Sequence, residues 1–169
     1  TTAWRIGFQS ANLILERHLQ DHGDHLRQLG LSVWGTATMR TGGDDIAQAM
    51  ALMGVRPVWA TGSQRVDDFE ILPLSLLDRP RVDVTLRVSG FFRDAFANLI
   101  RLFDAAVQAV AALDEPDDMN PLAAKVRSER QALLESGLEP EVAARQAGWR
   151  IFGAKPGAYG AGVQGAIDG

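Results

Sequence analysis

The chain has no cysteine, which excludes disulfides and thiolate zinc sites and favours an intracellular, cytoplasmic origin. It has no basic excess either. Lys and Arg number 17 against 21 Asp and Glu, a net charge of −4, so the basic face that nucleic-acid phosphates require is missing. No apolar run approaches the ~18 residues of a membrane span, and the N-terminus lacks the basic and apolar regions of a signal peptide. No P-loop occurs, and the glycine-rich string Gly153 to Gly162 (GAKPGAYGAG) matches neither GxxxxGK[ST] nor GxGxxG. A start at Thr1 and a glycine-rich end are what a piece of a longer protein would show.

What the chain does have is one organising stretch, Leu31 to Ala60. Leu31-Ser32-Val33-Trp34 is a short run of residues that suit a buried strand. A loop rich in Gly and Thr follows, from Gly35 to Gly42. Asp44 and Asp45 then head a segment with Ile46, Ala47, Met50 and Met53 at helical spacing, and Gly54 stands where a helix takes a left-handed residue. Val55 to Trp59 reads as the next strand. Together these make a βαβ unit, which predicts a parallel sheet with right-handed crossovers. The expected fold is α/β, a parallel Rossmann- or flavodoxin-like three-layer sheet with additional C-terminal helices.

On either side the pattern continues. Trp4, Phe8, Ala11, Ile14, Leu15 and Leu19 predict an amphipathic helix that Gly23 ends. Thr61 to Asp68 is a polar turn or hairpin region, Phe69 to Leu72 a short strand, and Pro73 to Leu77 one helical turn. Val82 to Val88 alternates apolar and polar residues, predicting a strand with one wetter face near a sheet edge. After Ser89-Gly90 a long helix carries Phe96, Leu99, Ile100, Phe103, Val107 and Val110 on one stripe, and Asp114 to Asp118 breaks it. Asn120-Pro121 opens a further helix that Gly137 closes, and Pro140 starts a last one to about Trp149. Val163 to Ile167 reads as the start of another. The domain expectation is one unit, 1–169, with an α/β core over 1–113 and a helical extension over 114–169.

Ligands of open parallel sheets sit beyond the carboxyl ends of the strands. Two loops qualify here. The first offers Thr36, Thr38, Arg40 and Thr41 before a helix, with Arg40 able to pair a carboxylate. Asp44 and Asp45 at that helix end read as caps, worth about 0.3–1 kcal/mol each. The second loop, Ser89 to Asp94, offers Ser89 and Arg93. The plainer reading there makes Ser89 a cap, docks Phe91 and Phe92 in the core, and pairs Arg93 with an acid. His18, His22 and His25 fall at i, i+4 and i+7, but Gly23 interrupts the helix, and surface histidines are the better reading than a metal site. Tyr159, flanked by glycines, reads as a ligand contact or as packing against another part of the protein.

These motifs add up to a resemblance. Val33-Trp34-Gly35-Thr36, Met39-Arg40-Thr41-Gly42-Gly43-Asp44-Asp45 and Ala51-Leu52-Met53-Gly54-Val55-Arg56-Pro57-Val58 resemble the CobN/magnesium-chelatase large-subunit family. So do Arg79-Pro80-Arg81-Val82-Asp83-Val84-Thr85, Ser89-Gly90-Phe91-Phe92-Arg93-Asp94-Ala95-Phe96, Asp114-Glu115-Pro116 and Phe152-Gly153-Ala154-Lys155-Pro156-Gly157-Ala158-Tyr159-Gly160. The paired phenylalanines after Ser89-Gly90, and Met39-Arg40 with the double aspartate after WGT, are similar to the cobalt branch. The magnesium branch more often reads WGTDN and SGVFRD. The resemblance implies part of the large subunit of an ATP-dependent enzyme that inserts Co²⁺ into hydrogenobyrinic acid a,c-diamide in cobalamin synthesis. It also implies ATP and Mg²⁺ on separate AAA+ subunits and a metal-binding-domain subunit as a further partner. The remaining domains of the same subunit would be partners too. On this reading Thr36, Arg40, Thr41, Ser89, Arg93 and Tyr159 line a substrate or interdomain surface. No catalytic residue or protein-held metal is implied, and the fragment alone is expected to be inactive. A magnesium-chelatase-type domain, a non-catalytic α/β interaction module and an independent small-molecule-binding protein are the alternatives.

Overall fold

The computed structural model describes residues 2–33, 42–59 and 66–153. It opens on α1 (Thr2–His22), a long amphipathic helix closed by Gly23 in the left-handed conformation, φ 72°. After a short connection come β1 (Gln28–Val33) and α2 (Gly42–Met53), the latter ended by Gly54 at φ 81°. Left-handed backbone is the reason for glycine here, and a Cβ would also sit 2.4 Å from Arg81 Nη1 and from Leu77 Cδ1. Then follow β2 (Val55–Trp59), β3 (Val66–Ile71), the single turn α3 (Leu74–Leu77) and β4 (Asp83–Val88). The C-terminal half contributes α4 (Gly90–Ala95), α5 (Ala97–Ala111), α6 (Pro121–Glu135), α7 (Pro140–Ala147) and β5 (Ile151–Gly153).

The parallel sheet is present, but it is assembled differently from the expected βαβ unit. β1 pairs in parallel with β4, and β4 with β5, giving the order β1-β4-β5. β2 leaves that sheet and pairs antiparallel with β3 in a two-stranded sheet of its own. Pro57 lies inside β2 and has no N–H for a second ladder, which suits a two-stranded ribbon and not a central strand. The proximity of β2 and β3 in sequence also makes an antiparallel return cheap.

A second expectation is corrected by the same topology. β4 is the central strand of its sheet, not an edge. Of the polar residues that suggested a wetter face, Arg87 is exposed, whereas Asp83 is buried because Arg150 grips both its carboxylate oxygens, Nε–Oδ1 at 2.7 Å and Nη2–Oδ2 at 3.2 Å. That partner lies far along the chain, just before β5. The stretch expected as a helical extension also supplies the third strand of the sheet.

Val84, Leu86 and Val88 of β4 pack with Ile46, Met50 and Met53 of α2 and with Phe103, Val107 and Val110 of α5 in one core. A second buried cation joins the two sheets. Arg81 has no exposed surface. It donates to the carbonyls of Met53, Gly54 and Leu72 and pairs with Glu115 through Nε (2.8 Å) and Nη2 (3.1 Å). The end of α2, the residues just before β2 and just after β3, and the loop before α6 therefore meet on one side chain. Next to it, Arg79 donates to the last carbonyls of α2, Ala51 and Leu52, at 2.6 and 2.7 Å. Burial, with the neighbouring charge of Arg81 adding, lowers the Arg79 pKa to about 10, so it stays protonated at neutral pH and suits a helix C-terminus. No helix among the described residues is long and apolar enough to cross a membrane.

Candidate functional site at the carboxyl edge of the sheet

Parallel register sets three strand ends in a row. Val33 of β1 lies opposite Val88 of β4, and Val88 lies opposite Gly153 of β5. The last residues of the three strands, Val33, Val88 and Gly153, therefore stand side by side at one edge. This is the edge at which open parallel sheets place their ligands. The sheet closes tightly there: Gly153 has φ 145°, and a Cβ on it would come within 2.0 Å of the Val88 carbonyl oxygen.

Ser89 sits at the middle exit. Its N–H donates to Val33 O at 3.1 Å, and its Oγ accepts the N–H of Phe92 at 3.0 Å. Ser89 is thus the N-cap of α4, as the plainer reading expected. Phe92 is fully buried and stacks at a tilt on Phe96, with ring centroids 4.9 Å apart. Arg93 departs from that reading, since it has no acidic partner among the described residues. Its Nε is one of two buried side-chain polar atoms there without a hydrogen bond, the other being Asp104 Oδ1. A buried donor left unpaired is costly and marks a place where a partner is expected. Thr36, Thr38, Arg40, Thr41 and Tyr159 lie outside the described residues.

Elsewhere the chemistry is structural. α2 begins at Gly42, so Asp44 and Asp45 are the third and fourth residues of the helix and not residues ahead of it. His18 and His22 stack on each other, centroids 4.4 Å apart. No group of three or more His, Asp or Glu side chains among the described residues is arranged to hold a metal. The two buried ion pairs, Arg81–Glu115 and Asp83–Arg150, were missed because neither partner is near the other in sequence. The only local hint was an acidic residue in a strand run and two arginines around Pro80.

The whole chain, residues 1–169, matches the family described as CobN/Magnesium Chelatase. It belongs to that family. Among curated relatives, the aerobic cobaltochelatase subunit CobN of Pseudomonas aeruginosa is 85% identical over 99% of this chain and 13% of its own length. The chloroplastic magnesium-chelatase subunit ChlH of Oryza sativa subsp. japonica is 38% identical over 95% of this chain and 11% of its own. Among solved structures, the catalytic subunit of cobaltochelatase from Mycobacterium tuberculosis superposes with a TM-score of 0.82 at 48% identity. That match covers 98% of this chain and 13% of the other. The chain thus spans about an eighth of the length of the CobN relatives it matches, and corresponds to a fragment of such a subunit.

Proposed function

We propose that these residues are a domain of the large subunit of an aerobic cobaltochelatase, working in the cytoplasm. Within the complex it helps to insert Co²⁺, as the substrate metal, into hydrogenobyrinic acid a,c-diamide during cobalamin synthesis. The observation that carries this reading is the identity of 85% to a CobN along nearly the entire chain, against 38% to a plant magnesium-chelatase subunit. ATP and Mg²⁺ belong to partner AAA+ subunits, in keeping with the absence of a P-loop here.

In this reading the domain contributes the carboxyl edge of its sheet to the corrinoid cavity or to the neighbouring domains. Ser89 and Arg93 follow the middle strand, while Thr36, Arg40, Thr41 and Tyr159 belong to the sequence after β1 and β5; arginines of such segments suit the carboxylates of a corrinoid side chain. The test is cobalt insertion by the full-length subunit with its AAA+ and metal-binding-domain partners, ATP, Co²⁺ and hydrogenobyrinic acid a,c-diamide. Cobalt-dependent absorbance change is expected. Insertion of Mg²⁺ into a porphyrin in its place, with none of Co²⁺ into the corrinoid, would assign the domain to the magnesium branch.

A further inference from the structure

The three-stranded sheet has one covered face and one open one. On the covered face Val84, Leu86 and Val88 of β4 and Ile151 of β5 are buried in the core. On the other face, Gln28, Gly30 and Ser32 of β1, Arg87 of β4 and Phe152 of β5 are all exposed. Ser32, Arg87 and Phe152 are register partners across the three strands, so they form one row. Asp83 and Arg150 occupy the same face at the amino ends of the strands and are closed off by pairing with each other. The opening therefore runs along β1 and, next to the strand exits, across all three strands.

This is an unusual surface for a parallel sheet. Parallel sheets occur almost only with both faces covered. Beside the row lies a shallow apolar groove of about 370 Å³ lined by Arg145, Gln146, Trp149 and Phe152, and Trp149 and Phe152 are 38% and 40% exposed. Arg145 lines the groove, and Arg87 stands next to Phe152 in the adjoining row. Neither Arg87 nor Arg145 makes a hydrogen bond or ion pair among the described residues, although the chain as a whole is acidic, −4.

We propose that the part of this face next to the strand exits, Ser32, Arg87 and Phe152 with Trp149 and Arg145, is the docking surface for another segment of the same subunit. That segment lies outside these 169 residues and presents an apolar stripe edged with carboxylates. Two observations select this occupant. The chain covers only 13% of the CobN subunit and 13% of the solved catalytic subunit that it matches, so most of the parent chain is available to cover the sheet. The unpaired arginines favour an acidic covering segment over a second copy of the same cationic row, which would set like charges together. The inference rests on membership of a long subunit and not on which metal or macrocycle is used.

The experiment uses the full-length subunit with cysteine introduced one position at a time, Ser32→Cys or Arg87→Cys, and Asp118→Cys as an exposed control. Maleimide labelling followed peptide by peptide is expected to be at least about tenfold slower at Ser32→Cys and Arg87→Cys than at Asp118→Cys. A benzophenone maleimide placed on the same cysteines is expected to crosslink to peptides of the same chain outside this domain. Labelling as fast as the control overturns the proposal. So do crosslinks confined to these 169 residues, to a second copy, or absent altogether. Because no metal or tetrapyrrole is present in the assay, a failed cobalt-insertion assay leaves this result standing on its own.

Discussion

The N–H of Ser89 donates to the carbonyl oxygen of Val33 at 3.1 Å, tying the first residue after β4 to the last residue of β1. That bond extends the parallel ladder one residue past β4. It also fixes where the chain leaves β4, beside the last residue of β1. Ser89 uses its side chain to start α4, so one residue both closes the ladder and launches the helix that carries Arg93.

The cap can be weighed directly. Ser89→Ala removes the acceptor for the Phe92 N–H and is expected to lower stability by about 1 kcal/mol, while Ser89→Gly costs only a few tenths. Urea midpoints of the two variants measure this. Equal, negligible losses would show that the cap contributes nothing and would leave Ser89 as a surface hydroxyl.

Asp83 and Arg150 are 5% and 7% exposed at their side chains. Truncating one member strands the other as a buried charge, so Arg150→Ala is expected to cost about 3–5 kcal/mol. The double variant Asp83→Leu/Arg150→Met should recover most of that loss, because an apolar pair of similar volume avoids the desolvation cost. A denaturation cycle over the wild type, the single variants and the double variant checks the sign of the coupling.

Glu115 predicts a pH dependence. The hydrogen bond from Arg81 holds its carboxyl below the ordinary 4.5, with the charge of Arg81 and a hydrogen bond from Asn120 adding to it and burial opposing. A carboxylate whose folded pKa is depressed binds fewer protons folded than unfolded. Its stabilisation is therefore complete above the unfolded value and is lost as the pH falls through the folded one. Urea midpoints should drop more steeply below pH 4.5 for the wild type than for Glu115→Gln, whose curve starts lower and is flatter.

Gly153→Ala tests the third strand. The added Cβ would lie 2.0 Å from Val88 O, 3.0 Å from Val88 C and 3.1 Å from Val88 N, and backbone cannot swing aside as a side chain can. β5 should detach from β4, seen as accelerated amide exchange over 150–153 with β1 and α2 unaffected. Unchanged exchange would mean that β5 is not held in this register.

Much of this architecture could be read from local chemistry. Gly54, Gly23 and Gly137 end helices with positive φ as expected. Asn120 caps α6 by accepting the Ala123 N–H, with Pro121 in the first turn. These are short-range signals, each settled within about four residues. What escaped the sequence is long-range. Whether Val55–Trp59 joins β1 or returns to β3 depends on strand pairing that hydrophobic pattern alone does not state, and Pro57 was the only local clue. β5 is three residues long, too short to show a period. Asp83 looked like a solvent-facing residue until Arg150 was found beside it. For the candidate site, the meeting of the strand exits was legible once β1 and β4 were taken as parallel neighbours. The unpaired Nε of Arg93 was not, because the plainer reading assumed an acid nearby.

The central claim is that the polar segments leaving this sheet edge contact the corrinoid. The most direct measurement is an equilibrium absorbance titration of the full-length subunit with hydrogenobyrinic acid a,c-diamide, comparing wild type with Arg40→Ala and Arg93→Gln at matched thermal stability. Losing one bidentate arginine–carboxylate contact should raise Kd at least about tenfold in each variant, as roughly 1.5–3 kcal/mol per charged hydrogen bond implies. Titrations indistinguishable from wild type in both variants would contradict the claim and leave this edge as an interdomain surface.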